Sequence, residues 1–234
     1  MEKEVGLFMN QQPTLVYILG RFLVAGSILL AGYAQYHVLR PTSVHAAEFA
    51  DVYLSLAVVG GFPEDRGLNL GGQGAPKVTL YNSLGAGVRI GIFPEFTRRI
   101  VGVEIEYFGT TGRLLAATFG SDVRGEATAG LTVTNSMTNL IARKPDGEFR
   151  PYAGVGVGYS SAIFHGASFP GRTNQDFDST AAFSYQLMVG VQYSLGGRTF
   201  LFSEYKRVTA NFHWSDVSLD YHAHHALAGI GWIF

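Results

Sequence analysis

Beyond residue 47 apolar side chains recur at every second position over eight stretches. That period belongs to a strand with one apolar face and not to a helix. Residues 49–61 set Val52, Leu54, Leu56 and Val58 against Asp51, Tyr53, Ser55 and Ala57. Residues 78–93 set Leu80, Leu84, Ala86, Val88, Ile90 and Ile92 against Thr79, Tyr81, Ser83, Gly85, Gly87, Arg89 and Gly91. Residues 99–108 oppose Val101, Val103, Ile105 and Tyr107 to Gly102, Glu104 and Glu106. Residues 151–163, 181–194, 199–207 and the end of the chain from Ala226 continue the alternation. Residues 130–143 fit least well, because Asn135 and Asn139 share a parity with Val133, Met137 and Ile141. A bulge or a register change is expected there.

The connections alternate too. Short turns are expected at 94–98, 144–149 and 195–198, and long polar loops at 62–77, 109–129, 164–180 and 208–221. The faces decide what kind of sheet this is. One face carries Val, Leu, Ile and aromatics; the other carries Gly, Ser, Gln and the charges Arg89, Glu104, Glu106, Glu204 and Lys206. A soluble barrel or sandwich buries its apolar face and wets the other. A face with five ionisable groups makes no dry core unless they pair. With lipid against the apolar face, the backbone has to pair throughout and the sheet has to close. The pattern predicts an all-β fold, an eight-stranded antiparallel up-and-down transmembrane β-barrel over 47–234, with Tyr107, Tyr159, Tyr193, Tyr205 and Trp232 as interfacial aromatics.

Composition sharpens the picture. The chain has 234 residues, 30 of them Gly, only 15% charged, and no Cys. Disulfides, Cys-based metal sites and thiol catalysis are excluded. A net charge of −1 speaks against a nucleic-acid partner. Residues 1–46 stand apart. Lys3 and Arg21 precede a 13-residue apolar run from Phe22 to Ala34, with Val44 and Ala46 spaced like a cleavage site. The run suits the core of a signal peptide better than a spanning helix of about 20 residues. A cleaved signal peptide over 1–46 is expected, with an uncleaved anchor over 15–38 as the alternative.

The chain closes on AGIGWIF, with Phe234 last, Trp232 two before it and Gly229 five before it. This resembles the signal read by the barrel-assembly machinery, with Leu227 where a polar residue is usual. The segments GVEIEYFG, RPYAGVGVGYS and LFSEYKR resemble the small outer-membrane β-barrel family, the OmpA/OmpX-like group. The resemblance implies an eight-stranded barrel in the cell outer membrane with both termini in the periplasm; a periplasmic domain of the OmpA type is not expected beside it. It implies no shared activity, because the fold hosts several.

Candidate chemistry is sparse. Arg89, Glu104, Glu106, Glu204 and Lys206 are expected to form a charge-paired plug in the lumen, or else the constriction of a narrow passive pore. His213-Trp214-Ser215, with Asp216 or Asp220 nearby, is a weak match to the Ser–His pair of lipid-modifying outer-membrane enzymes. His222 and His224 share a face, with His225 on the other, and no carboxylate is assigned beside them. GVGVGYS over 154–160 lacks the Lys and helix of a phosphate loop. The expectation is a non-enzymatic protein without cofactor or metal. Its partners would be outer-membrane lipids, lipopolysaccharide and the assembly machinery, and it would be a monomer. Its role would be structural or one of surface interaction through long extracellular loops.

Overall fold

A computed structural model describes residues 49–64, 68–70, 73–74, 78–119, 123–168, 178–213 and 217–234. The segment read as a leader, together with Trp214, Ser215 and Asp216, lies outside the described residues. Eight long strands make the wall: β1 (Ala50–Pro63), β2 (Ser83–Pro94), β3 (Val101–Phe119), β4 (Val123–Arg143), β5 (Phe149–Ser168), β6 (Asp178–Gly196), β7 (Thr199–His213) and β8 (Val217–Ile233). Each pairs antiparallel with its neighbours in the chain. β1 also pairs with β8, from Tyr53↔Ile233 to Pro63↔Ala223, and the sheet closes. Closure gives every strand two partners, so the wall has no open edge. Three short strands, Leu68–Leu70, Gln73–Gly74 and Val78–Leu80, add to its far end.

The three predicted short turns sit together at one end. One holds a 3-10 turn, Glu95–Thr97, followed by Arg98 and Arg99 in the left-handed region. The 195–198 turn uses Gly196 and Gly197 at φ 91° and 62°, a conformation that L side chains rarely adopt. At the other end the strands run further than the alternation suggests. β3 and β4 remain paired as far as Phe119↔Val123, and β7 and β8 as far as His213↔Ser218. The expected loops at 109–129 and 208–221 are therefore largely strand. Their Thr, Ser, Asn and Gly residues read as loop composition, yet their backbone groups are all available to a ladder.

Two expectations about faces need correction. No bulge interrupts 130–143: β4 pairs continuously with β3 from Gly130 to Ala142. Leu131, Val133, Asn135, Met137, Asn139 and Ile141 all point inward and are buried, while Thr132, Thr134, Ser136 and Thr138 point outward. A bulge occurs instead at Tyr81–Asn82. Leu80 pairs with Leu114 and Leu84 with Thr111, so β2 carries one residue more than β3 across that step. An extra residue reverses the parity beyond it. Leu80 is buried and Tyr81 exposed, opposite to the faces the alternation assigns them.

The interior is correspondingly less polar than expected. One apolar cluster, around Tyr53, Phe93, Phe108, Met137, Met188, Phe200 and Phe202, fills the short-turn half. A second, around Leu131, Val133, Phe164, Phe212, Leu219 and Tyr221, fills the other. An eight-stranded barrel has room inside only for its own side chains.

Candidate functional site

The charges fall on three strands. Arg89 is on β2, Glu104 and Glu106 are two apart on β3, and Glu204 and Lys206 are two apart on β7. Spacing by two points each pair to the same face. All five face the lumen and are almost fully buried. β3 and β7 lie on different sides of the barrel, so contacts between them cross the interior. Lys206 Nζ lies 2.6 Å from Glu106 Oε1 and 2.8 Å from Glu204 Oε1. Arg89 reaches Glu204 Oε2 at 2.7 Å through Nη1 and Glu104 Oε2 at 3.5 Å through Nε. The result is one chain of alternating sign, Glu106–Lys206–Glu204–Arg89–Glu104.

Neutral donors from the remaining wall complete it. Tyr53 on β1 donates to Glu104. Asn139 on β4 donates to Glu104 at 2.8 Å and Glu106 at 3.3 Å. Gln186 on β6 donates to Glu106 at 3.1 Å and to Asn139 at 2.7 Å. Tyr152 on β5 donates to Glu204 at 2.7 Å, and Arg89 Nε donates to Ser55 at 3.0 Å. Three carboxylates face two cations, and the hydroxyl and amide donors share the surplus negative charge. Aromatic rings stack on the cations: Arg89 lies 3.8 Å from the Phe202 centroid and Lys206 4.9 Å from that of Phe108. Nearer the short-turn mouth, Asp51 pairs with Arg99 at 3.3 Å and with Arg143, whose guanidinium covers Phe93 at 3.7 Å. Tyr53, Ser55, Asn139, Tyr152 and Gln186 were not singled out from sequence. For Tyr53, Ser55, Tyr152 and Gln186 the inward parity shared with the charges is the signal; Asn139 shares its parity with Val133, Met137 and Ile141 and carries none.

The fold and this interior decide which comparisons matter. The outer membrane protein beta-barrel domain matches residues 22–234. The chain belongs to that family. No curated protein matches the chain. Among solved structures, OprG of Pseudomonas aeruginosa superposes with TM-score 0.54 at 14% identity, covering 80% of this chain and 96% of that one. Neisserial surface protein A superposes with TM-score 0.51 at 10% identity, covering 79% and 99%. At such identities these show a shared barrel and nothing finer.

In this family member the remaining candidates are dispersed. His222 and His224 face outward and His225 inward. His225 packs edge-on against Phe108 with centroids 5.2 Å apart. His224 does have a carboxylate beside it: its Nε2 lies 2.9 Å from Glu64 Oε1, which also accepts from Arg207 at 3.1 Å. Glu64 comes from the end of β1, 160 residues away in sequence, so spacing could not reveal it. Among the described residues no three His, Cys, Asp or Glu side chains are placed to hold a metal. His213 ends β7, and its proposed partner Ser215 is outside the described residues.

The C-terminal residues have packing roles of their own. A Cβ on Gly229 would strike the Leu56 carbonyl and the Phe202 ring. Trp232 lies opposite Leu54 and Thr199. The Phe234 amide donates to the Val52 carbonyl at 2.8 Å and pins the last residue to β1.

Proposed function

We propose that the protein is a non-conducting barrel of the outer membrane with a structural and surface-interaction role. The observation that carries this reading is the lumen, where ion pairs link opposite walls between two apolar clusters. A conducting pore needs a wetted path with sites weak enough to release ions, and these carboxylates and cations are committed to each other. Membership of the family supports the outer-membrane location.

Residues 1–46 act as the export signal, and Gly229, Trp232 and Phe234 engage the barrel-assembly machinery. The short turns, the start of β1 and the end of β8 face the periplasm, because outer-membrane barrels keep short turns on that side. The longer strand ends project outward as a monomeric platform for lipid, lipopolysaccharide or neighbouring proteins. Membrane fractionation with a detergent gel, run with and without heating, tests the placement. The expected species is in the outer-membrane fraction and shifts mobility on heating. A soluble periplasmic species without a shift contradicts it.

A further inference from the structure

On the outer surface, toward the long-strand end, lies a cavity of about 1040 Å³ lined by Tyr81, Asn82, Thr111, Arg113, Gly130 and His165 among others. Three of these form one row across three strands: Arg113 pairs with Gly130, and Gly130 with His165. Glycine in the middle lets the His165 imidazole lie across the row, since a Cβ there would overlap that ring. Neighbouring strands are about 4.8 Å apart, so the Arg113 and His165 backbones stand about 10 Å apart, with the imidazole turned over Gly130 toward Arg113. Among the described residues neither side chain has a hydrogen-bond or ion-pair partner, and none of those lining the cavity is a carboxylate.

Two bulges frame it. One is the extra residue at Tyr81–Asn82, which turns Tyr81 outward. The other is on β5, where pairing steps from Gly130↔His165 to Thr128↔Ser168 and Gly166 takes φ 59°. Bulges at a barrel rim re-aim side chains. Below the cavity the Thr111 and Thr132 hydroxyls meet at 3.1 Å.

Its height fits the membrane boundary. β3 begins its outward apolar series at Val101, just above the charged turn at Arg98 and Arg99. Twelve residues on, at about 3.3 Å each and a tilt of about 40°, Arg113 stands roughly 30 Å higher. The apolar band of such barrels is about 25 Å tall. Arg113 and His165 therefore reach the headgroup layer of the far leaflet.

We propose that this cavity binds the phosphate monoester of an outer-leaflet glycolipid. A guanidinium presents paired donors to phosphate oxygens, an imidazole N–H adds another, and Tyr81, Asn82 and Thr111 supply neutral donors for sugar hydroxyls. The inference rests on the orientation given under the proposed function.

The test uses the folded barrel in phosphatidylcholine nanodiscs doped with diphosphoryl lipid A, dephosphorylated lipid A or phosphatidylglycerol, and native mass spectrometry of the lipid retained. Diphosphoryl lipid A is expected to be retained. Arg113→Gln is expected to lower retention about tenfold, the scale of one charge-assisted hydrogen bond, and Gly130→Val to lower it with the charges intact. Arg98→Gln, an exposed cation at the other end, should change nothing. Equal retention by wild type and Arg113→Gln, or of the dephosphorylated lipid, overturns the site. Equal retention of phosphatidylglycerol overturns the monoester. Displacement by equimolar inorganic phosphate overturns the lipid as its source. The heat-dependent gel shift of each variant reports the barrel itself, so loss of that shift marks failure of the fold and location, separately from loss of lipid.

Discussion

β4 and β6 are neighbours of the same strand, β5, and both carry apolar side chains at every second position, yet those side chains face opposite ways. β6 turns Phe183, Tyr185, Leu187 and Val189 outward and keeps Ser184, Gln186 and Gln192 inside. β4 turns Leu131, Val133, Met137 and Ile141 inward, and its outward face is Thr132, Thr134, Ser136 and Thr138. Alternation therefore fixes the strand but not which face meets the membrane. The interior of a narrow barrel has to be filled, and a long apolar side chain fills it as well as a paired charge does. Hydroxyl side chains tolerate the outer surface because they are small and can bond locally, as Thr111 and Thr132 do.

The contrast yields ordered predictions. The largest effect is expected inside, at the polar residues. Lys206→Ala leaves Glu106 and Glu204 facing each other without their cation, and should cost about 3–5 kcal/mol in denaturant unfolding of the barrel in lipid vesicles. Met137→Ala on the inner face of β4 comes next. It opens a cavity and should cost about 2–5 kcal/mol; a loss below 1 kcal/mol would mean that β4 does not pack as described.

On β6 the outward face is the sensitive one. Leu187→Arg should cost about 2–4 kcal/mol near the bilayer middle. The same unfolding assay checks it, and a neutral result would mean that this face does not meet lipid. Thr138→Val, outward on β4 opposite Ile105 and Val157, should be the smallest, within about 0.5 kcal/mol. A loss comparable to that of Met137→Ala would place Thr138 in a packed interface and reverse the assignment of the two faces.

These strands also measure what the sequence makes legible. The eight-strand count, the short turns and the charged lumen follow from local chemistry: alternation, turn residues, and charges that share a parity. Ion pairing across the lumen does not. That Lys206 meets Glu106 depends on closure between β1 and β8, a relation between chain ends. Strand length at the long-strand end is not legible, because Thr, Ser and Gly are common to loops and to solvent-facing strands. Leu80 changes sides through a single extra residue, and no periodicity survives a bulge. Glu64 reaches His224 only because β1 and β8 are neighbours in the closed sheet.

The central claim is that the lumen is sealed by its own side chains. Planar-bilayer recording of purified, heat-modifiable protein tests it most directly. The wild-type barrel is predicted to give no single-channel steps, while Lys206→Ala combined with Arg89→Ala, which removes both cations linking the carboxylates, should admit intermittent current. Stable, uniform conductance steps from the wild-type protein would contradict the account.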